Sequence, residues 1–411
     1  MTQRGWIRLA CLAGALTVIG LTISFSHRAG DFAGYLLVGE LALHGRDIYR
    51  EAPLINTWPP VFTLLCVPLA LLARVSLVGT RVLWLLFNWG ALVVALRAAR
   101  DLVYGGDGAS TRTALPPMLS AAVLLPLLLS IRWVSANFEH LQINITILAL
   151  TLIGLVWHRA GRDRAGGFAI GTAAALKVMA VLFVPYFLWR RQWRAAFWTT
   201  LFAAAWSVLP VLFYGVGGMM HQYAAWRDGL QVGWGVGKMN LSVYAMADRL
   251  IGHRLVPFAN AGVDALPASG SRAVVIAAGA LLLLVTIAAC WLFRGAYRPG
   301  SRATVAEWSI VLLVSSIFGT VAWKYYLVTL LLPMMLFVAT WRDASVPAPF
   351  RRTLRRLTWI SFALGFVAAR DIVGADFSGR LEMGSLITVM ALLILGTLFW
   401  YRARIAAVAE A

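Results

Sequence analysis

The chain has 411 residues, of which 61% are apolar and 13% are Asp, Glu, Lys or Arg, with a formal charge of +19. That apolar excess excludes an ordinary soluble globular protein and points to a polytopic membrane protein. The charge reads as arginines at cytoplasmic helix ends facing anionic lipid heads, and no aromatic-interleaved basic groove supports a nucleic-acid partner.

Apolar runs lie roughly at 6–26, 58–73, 79–99, 115–131, 142–157, 166–189, 195–215, 272–293, 306–321, 323–341, 357–374 and 383–401. They are continuous rather than alternating, which favours helices over barrel strands. The pattern predicts an all-α polytopic membrane protein of about twelve membrane helices. Arg4 and Arg8 precede the first run as in a signal peptide. Leu9 to Phe25 is long, however, and no small-residue cleavage pattern precedes His27-Arg28, so the run reads as a first span.

Behind it comes a polar interval, Arg28 to Phe62. Asp31 sits just beyond the span, and Phe32, Tyr35, Leu36, Val38, Leu41 and Leu43 beside Glu40 and His44 suggest a partly amphipathic interfacial helix ended by Gly45. A carboxylate at this depth is placed to take a proton from a lipid-borne hydroxyl; the plainer reading is a helix cap before Phe32. Pro59-Pro60 suits the first turn of the next helix. Trp58 reads first as an interfacial belt residue and second as a face for a sugar.

Arginine clusters at Arg190, Arg191 and Arg194, at Arg294, Arg298 and Arg302, at Arg351 to Arg356, and at Arg402 and Arg404 mark one face. The opposite face then carries exterior loops 27–57 and 216–271 and short turns near 321 and 375–382. One stretch conflicts, because strict alternation puts Arg159, Arg162 and Arg164 outside and His140 to Asn144 inside. Two breaks would repair it: a broken or re-entrant element at 115–135, and two short helices meeting near Lys177 within 166–189. There is no internal repeat and no soluble domain, so residues 1–411 read as a single membrane domain.

The chain has three lysines, at Lys177, Lys238 and Lys324. Two lie inside apolar runs, where an ionised lysine costs about 2.5–3.5 kcal/mol and asks for an anion or an aqueous cavity, unless it snorkels to an interface. With Arg227 they suggest a basic pocket for a phosphate. Asn137, His140, Gln142 and Asn144 cluster at a run start, either to satisfy backbone or to bind sugar hydroxyls and phosphate oxygens. His140 has no zinc-ligand spacing, which argues against a protein-held metal; a divalent ion near Asp31 stays open. Cys11, Cys66 and Cys290 fall in apolar segments without redox spacing and read as buried small hydrophobes.

Taken together, GDFAGYLLVGELALHGRDIY, NTWPPVFTLLCVPLALL, HLQINITILAL, ALKVMAVLFVPYFLWRRQWR, VGKMNLSVY and VAWKYYLVTLLLP resemble the polyprenol-phosphate-sugar-dependent glycosyltransferases of the GT-C superfamily. The chain is most similar to glycosyltransferase family 87, which includes mycobacterial phosphatidylinositol mannoside mannosyltransferases. The resemblance implies a GT-C fold with some broken or re-entrant helices, Asp31 as catalytic base, and a polyprenyl-phosphate sugar as donor with no further cofactor. The family's Gly-Gln-x-Asn pattern resembles His140 to Asn144, with Gln142 and Asn144 present and no glycine. Its Gly-Asn-Gln-Ser pattern resembles Gly237, Lys238, Met239, Asn240 and Ser242 loosely. Its Trp-x-His pattern resembles Trp323, Lys324 and Tyr325, with tyrosine where many members have histidine, so that Lys324 would supply the cation.

The expected activity is therefore inverting transfer of a sugar, mannose first, to a lipid or glycan hydroxyl at the outer face of the cytoplasmic membrane. One carboxylate without a paired nucleophile fits a single displacement. The partners are that donor, that acceptor and membrane phospholipids; the oligomeric state is open. The alternatives are a transporter of an anionic or lipid-linked substrate and a lipid-linked oligosaccharide polymerase or ligase.

Overall fold

The structure is a computed structural model and describes residues 3–51, 57–106, 115–231, 235–254 and 266–410. Residues 52–56, 232–234 and 255–265 of the two long exterior loops thus lie outside the described residues. Within them the architecture is all-α, with no strand.

The first helix, α1 (Gln3–Ser26), leads into α2 (Phe32–Leu43). This second helix buries Phe32, Tyr35, Val38 and Leu41 against the protein, a correction to the interfacial placement expected for it. Its apolar residues lie on the side that α3 (Thr63–Val75) covers, and Gly39 makes the approach possible. A Cβ there would stand 2.3 Å from the Cys66 carbonyl oxygen. Gly45 ends the turn with φ of 63°, as its place in the sequence suggests. The Pro60–Phe62 turn starts α3 with proline in its first turn, where a missing N–H is harmless.

The long α4 (Leu77–Tyr104) precedes a pair, α5 (Ala121–Leu129) and α6 (Ile131–Glu139), bent by 65° at Ser130. Next come α7 (Asn144–Arg159) and α8 (Asp163–Leu176), then a break at Lys177, a 3-10 turn (Val178–Leu182) and α9 (Phe183–Trp189). Both breaks needed to reconcile the arginine pattern are present. They bring His140 to Asn144 beside Asp31, while Arg159 lies a helix length away, about 24 Å along α7.

Helix α10 (Trp193–Val208) turns by 97° into α11 (Val211–Gln231), which has Gly215 at φ 65°. The expected 216–271 loop is thus helical over its first part, and it covers the other loop: His221 Nε2 lies 2.8 Å from Asp47, and Trp226 donates to the Thr57 carbonyl. A short α12 (Val243–Ala247) and a π-helical turn (Asp248–Gly252) follow. The rest comprises α13 (Arg272–Leu292), α14 (Arg302–Ile317), a 3-10 turn (Lys324–Leu330), α15 (Leu331–Arg342), α16 (Ala348–Val367), α17 (Arg370–Val373), α18 (Ala375–Met383) and α19 (Leu386–Glu410).

Among the described residues four helices are long and apolar enough to cross a membrane: α4, α13, Lys324–Arg342 and Leu386–Ile405. Counting each bent pair as one span raises the number to six. The figure is below the twelve apolar runs because a run reports how apolar a stretch is, not whether its helix stays straight; several runs form helices of 10–17 residues. Lys324–Arg342 is 89% buried over its apolar stretch and lies inside the protein, whereas α13 is 6% buried and turns its side chains outward.

At the far end of α7 the core is closed by charge. Glu307, fully buried on α14, accepts from Arg402 Nε at 2.8 Å and from Tyr186 at 2.9 Å, and Arg190 Nε lies 3.3 Å away. Neutralising such a carboxylate from two sides is what makes its burial tolerable.

Candidate active site

Asp31 occupies the first position before α2, but its carboxylate makes no capping bond there. Its Oδ2 instead accepts from Gln142 Nε2 and from the Tyr325 hydroxyl, the latter at 3.1 Å. The cap reading is thereby set aside. The backbone holds the residue equally firmly: Asp31 N–H donates to the His140 carbonyl at 3.0 Å, and Gly30, at φ 50°, lies so close that a Cβ would meet that same oxygen at 2.7 Å.

From Gln142 the bonds run on. Its Oε1 accepts from Asn144 Nδ2 at 3.2 Å, and Asn144 Oδ1 accepts from Lys177 Nζ at 2.7 Å. Two amides thus bridge the carboxylate to the ammonium, each oriented with its NH₂ toward the acid and its oxygen toward the lysine. Asn137 fixes the rest by donating to the Tyr325 carbonyl while its oxygen accepts from Asn144. Asn137, Gln142, Asn144 and Lys177 are all buried, and a fully connected polar chain of this kind gives each buried group a partner. Lys177 Nζ also stands 4.2 Å above the Tyr326 ring, a second favourable seat for a cation.

The local sequence explains the geometry. After α6, Leu141 takes φ of 50°, and Gln142 N–H bonds back to the Asn137 carbonyl, so the chain turns sharply and enters α7 with Gln142 and Asn144 facing Asp31. Leu141 stands just before Gln142. A left-handed leucine costs about 1–2 kcal/mol; its buried side chain and the Trp84 indole, which donates to its carbonyl at 2.8 Å, hold it there.

On the other side of His140 lies a group of cations. Lys324, at the start of its 3-10 turn, acts electrostatically on both His140 and Glu382; burial and then Lys324 hold the His140 imidazole below its usual pKa. Glu382 on α18 pairs with Arg132 at 3.2 Å, and Arg132 also donates to the carbonyls of Gly365 and Ala368. Burial raises Glu382 above the ordinary carboxylate value against the pull of Arg132, Lys324 and Lys238. Lys238 reaches the same place beside Gly379. Asp371 acts on Arg132 as well, so three cations gather here around Glu382 and Asp371.

Not every candidate residue joins these two groups. Asn240 donates to the Thr320 carbonyl at 3.0 Å and accepts from Ser242 and Ala322 backbone N–H, so it staples its loop to the 320–322 turn. Trp58 is buried against Tyr35 and Phe62 with centroids 4.8 and 5.0 Å away, which removes it both from a membrane belt and from a sugar. Arg227 is exposed and pairs with Asp228.

Three residues escaped the sequence reading. Arg132 interrupts an apolar stretch, a signal overlooked because arginine was read as a face marker; Glu382 gave no signal beyond its charge. Arg249 is a third, fully buried, donating to the carbonyls of Val236, Gly237 and Asn240 and so shaping the loop that presents Lys238.

An all-helical membrane protein with a half-buried carboxylate wired to a buried lysine, next to a surplus of cations, is the class that fold and site define. The family model for glycosyltransferase family 87 matches residues 56–316, and the chain belongs to that family. It is thus a glycosyltransferase, which sets aside the transporter. The chain is similar to a polyprenol-phosphate-mannose-dependent alpha-(1-2)-phosphatidylinositol mannoside mannosyltransferase of Mycobacterium tuberculosis, 26% identical over 83% of this chain and 78% of that one. It is also similar to the protein of the same description in Mycolicibacterium smegmatis, 26% identical over 45% of this chain. That alignment spans 44% of the relative, less than half its length. No solved structure matches the chain. The family match stops short of both Asp31 and Lys324, which join the site through geometry.

Proposed function

We propose that the protein is a GT-C type inverting glycosyltransferase that moves mannose from a polyprenyl-phosphate donor to a hydroxyl of a lipid acceptor at the outer face of the cytoplasmic membrane. The observation that carries this reading is the asymmetry of Asp31. Its Oδ2 is taken by Gln142 and Tyr325, whereas Oδ1 has no hydrogen-bond partner among the described residues. One oxygen is oriented and the other is open to a substrate proton.

In the proposed step the acceptor oxygen bonds to the anomeric carbon as the bond from that carbon to the phosphate oxygen breaks. The hydroxyl proton passes to Asp31 Oδ1, and the bonding electron pair leaves with the phosphate. The donor phosphodiester carries one negative charge and the released monoester nearly two, so the cations Lys324, Lys238 and Arg132 act most strongly as that charge appears. Lys177 serves the acid through the amide chain rather than the phosphate. The mannose and lipid assignments rest on the relatives' descriptions.

The test is a membrane assay with radiolabelled polyprenyl-phosphate mannose, glucose and arabinofuranose against native lipid extract. Asp31→Asn is expected to lower transfer of mannose by about 10²–10⁴-fold while donor still binds. Equal turnover by wild type and variant would refute the base; transfer of a different sugar would refute the donor.

A further inference from the structure

At the end of α7 remote from Asp31, an open cleft of about 630 Å³ lies between α7, α8 and α10. Arg162, Arg164 and Arg194 stand around it, and Trp157, Phe168 and Phe202 give it an apolar wall. Its one carboxylate, Asp163, is already engaged, with Oδ1 2.7 Å from His158 Nδ1 and Oδ2 3.8 Å from Arg194. Two guanidiniums are left uncompensated.

Those two lie over aromatic rings. Arg162 lies over the Trp157 ring at 5.6 Å and Arg164 over the Trp198 ring at 5.4 Å. Neither donates a side-chain hydrogen bond to any described residue. A guanidinium placed over a ring and making no side-chain hydrogen bond to a described residue keeps N–H groups to offer, and a guanidinium can take phosphate oxygens two at a time. Further along the groove the surface turns aromatic: Phe168, one turn beyond Arg164, is 44% exposed and meets Phe202 edge-on at 5.2 Å.

Charge at one end and exposed aromatic surface running away from it, on helices of a membrane protein, match an amphipathic anion. We propose that this cleft seats an anionic phospholipid, its phosphodiester in the Arg162–Arg164–Arg194 fork and an acyl chain along Phe168 and Phe202. A zwitterionic lipid would bring its ammonium into the same fork and bind less well. The site is separate from the transfer reaction and does not depend on its substrates.

Native mass spectrometry of the full chain, released from detergent with equimolar phosphatidylglycerol and phosphatidylcholine, tests this. Phosphatidylglycerol adducts should dominate. Removing an arginine near a membrane surface weakens anionic-lipid binding about fivefold, so Arg162→Gln with Arg164→Gln should cut the preference by about 25-fold. Arg404→Gln, elsewhere on the arginine-rich face, should leave it intact. Phe168→Ser should weaken phosphatidylglycerol binding while leaving displacement by millimolar inorganic phosphate unchanged. If the double glutamine variant does not fold, the corresponding double lysine variant, with charge but no planar fork, should retain only part of the preference.

Equal retention of the two lipids by the wild-type chain overturns the proposal, as does a preference that survives loss of both arginines. Lipid binding indifferent to Phe168→Ser would reassign the cleft to a soluble phosphate and likewise overturn it.

Discussion

Replacing Lys177 by methionine separates two roles for that lysine. The side chain keeps its length and loses its charge, so Asn144 Oδ1 loses its donor and Asp31 loses the cation at the far end of the amide chain. Three hydrogen bonds and two amide groups make a path of roughly 13 Å from ammonium to carboxylate. At an effective dielectric of about 20, two unit charges that far apart interact by about 1.3 kcal/mol, and the straight line is shorter, so this is a lower bound. The ionised base is disfavoured by that amount, and a higher pH is needed to restore it. The acidic limb of the kcat/KM profile should therefore move up by about one pH unit, with much of the rate recovered on the alkaline side. The assay is mannosyl transfer in proteoliposomes across pH, with donor KM determined at each point. A lysine that bound the donor phosphate directly would instead raise donor KM at every pH and leave the limb in place. That result would refute the relay.

Three further outcomes follow from the same geometry. Tyr325→Phe removes one hydrogen bond to Asp31, worth about 1 kcal/mol, so kcat should fall about fivefold at constant donor KM; a rise in donor KM alone would place the tyrosine on the donor. Gly30→Ala forces a left-handed alanine against the His140 carbonyl, and a loss of about 2 kcal/mol or more should appear as a lower thermal midpoint together with lost transfer; full activity would show that this turn does not position Asp31. Burial pushes Asp47 upward, but the backbone N–H groups of Arg50 and Tyr49 and the His221 ring together hold it below the ordinary carboxylate value. Its contribution to stability is therefore present above the unfolded value and lost as pH falls through the lower folded one. Asp47→Asn should flatten that acid-side loss and loosen α11, read by Trp226 fluorescence; an unchanged acid transition would refute the assignment.

Much of the relay was legible in the sequence because membrane interiors make polar residues expensive. Asp31, Gln142, Asn144 and Lys177 each stood out against apolar neighbours, and each is in the bonded chain. What the sequence did not reveal was the pairing. A costly lysine announces that it needs a partner without saying whether that partner is a substrate phosphate or an asparagine thirty-three positions earlier. Asn240 and Trp58 show the converse, since side chains suited to bind sugars are equally suited to tie loops and fill cores. The count of spans was hidden for another reason: hydropathy reports neither helix length nor a bend such as the 97° turn between α10 and α11, and several apolar runs form helices of only 10–17 residues.

The hydroxyl of Tyr325 reaches Asp31 across 294 positions of chain. Asn137 likewise waits for the Tyr325 carbonyl, 188 positions on. A nascent chain that has inserted α1 to α13 has the acid and its amides in hand but lacks the tyrosine that fixes the carboxylate and the lysine beside it. The polar chain around Asp31 is thus completed only by a segment made late in synthesis, although its acid and amides are among the first parts made.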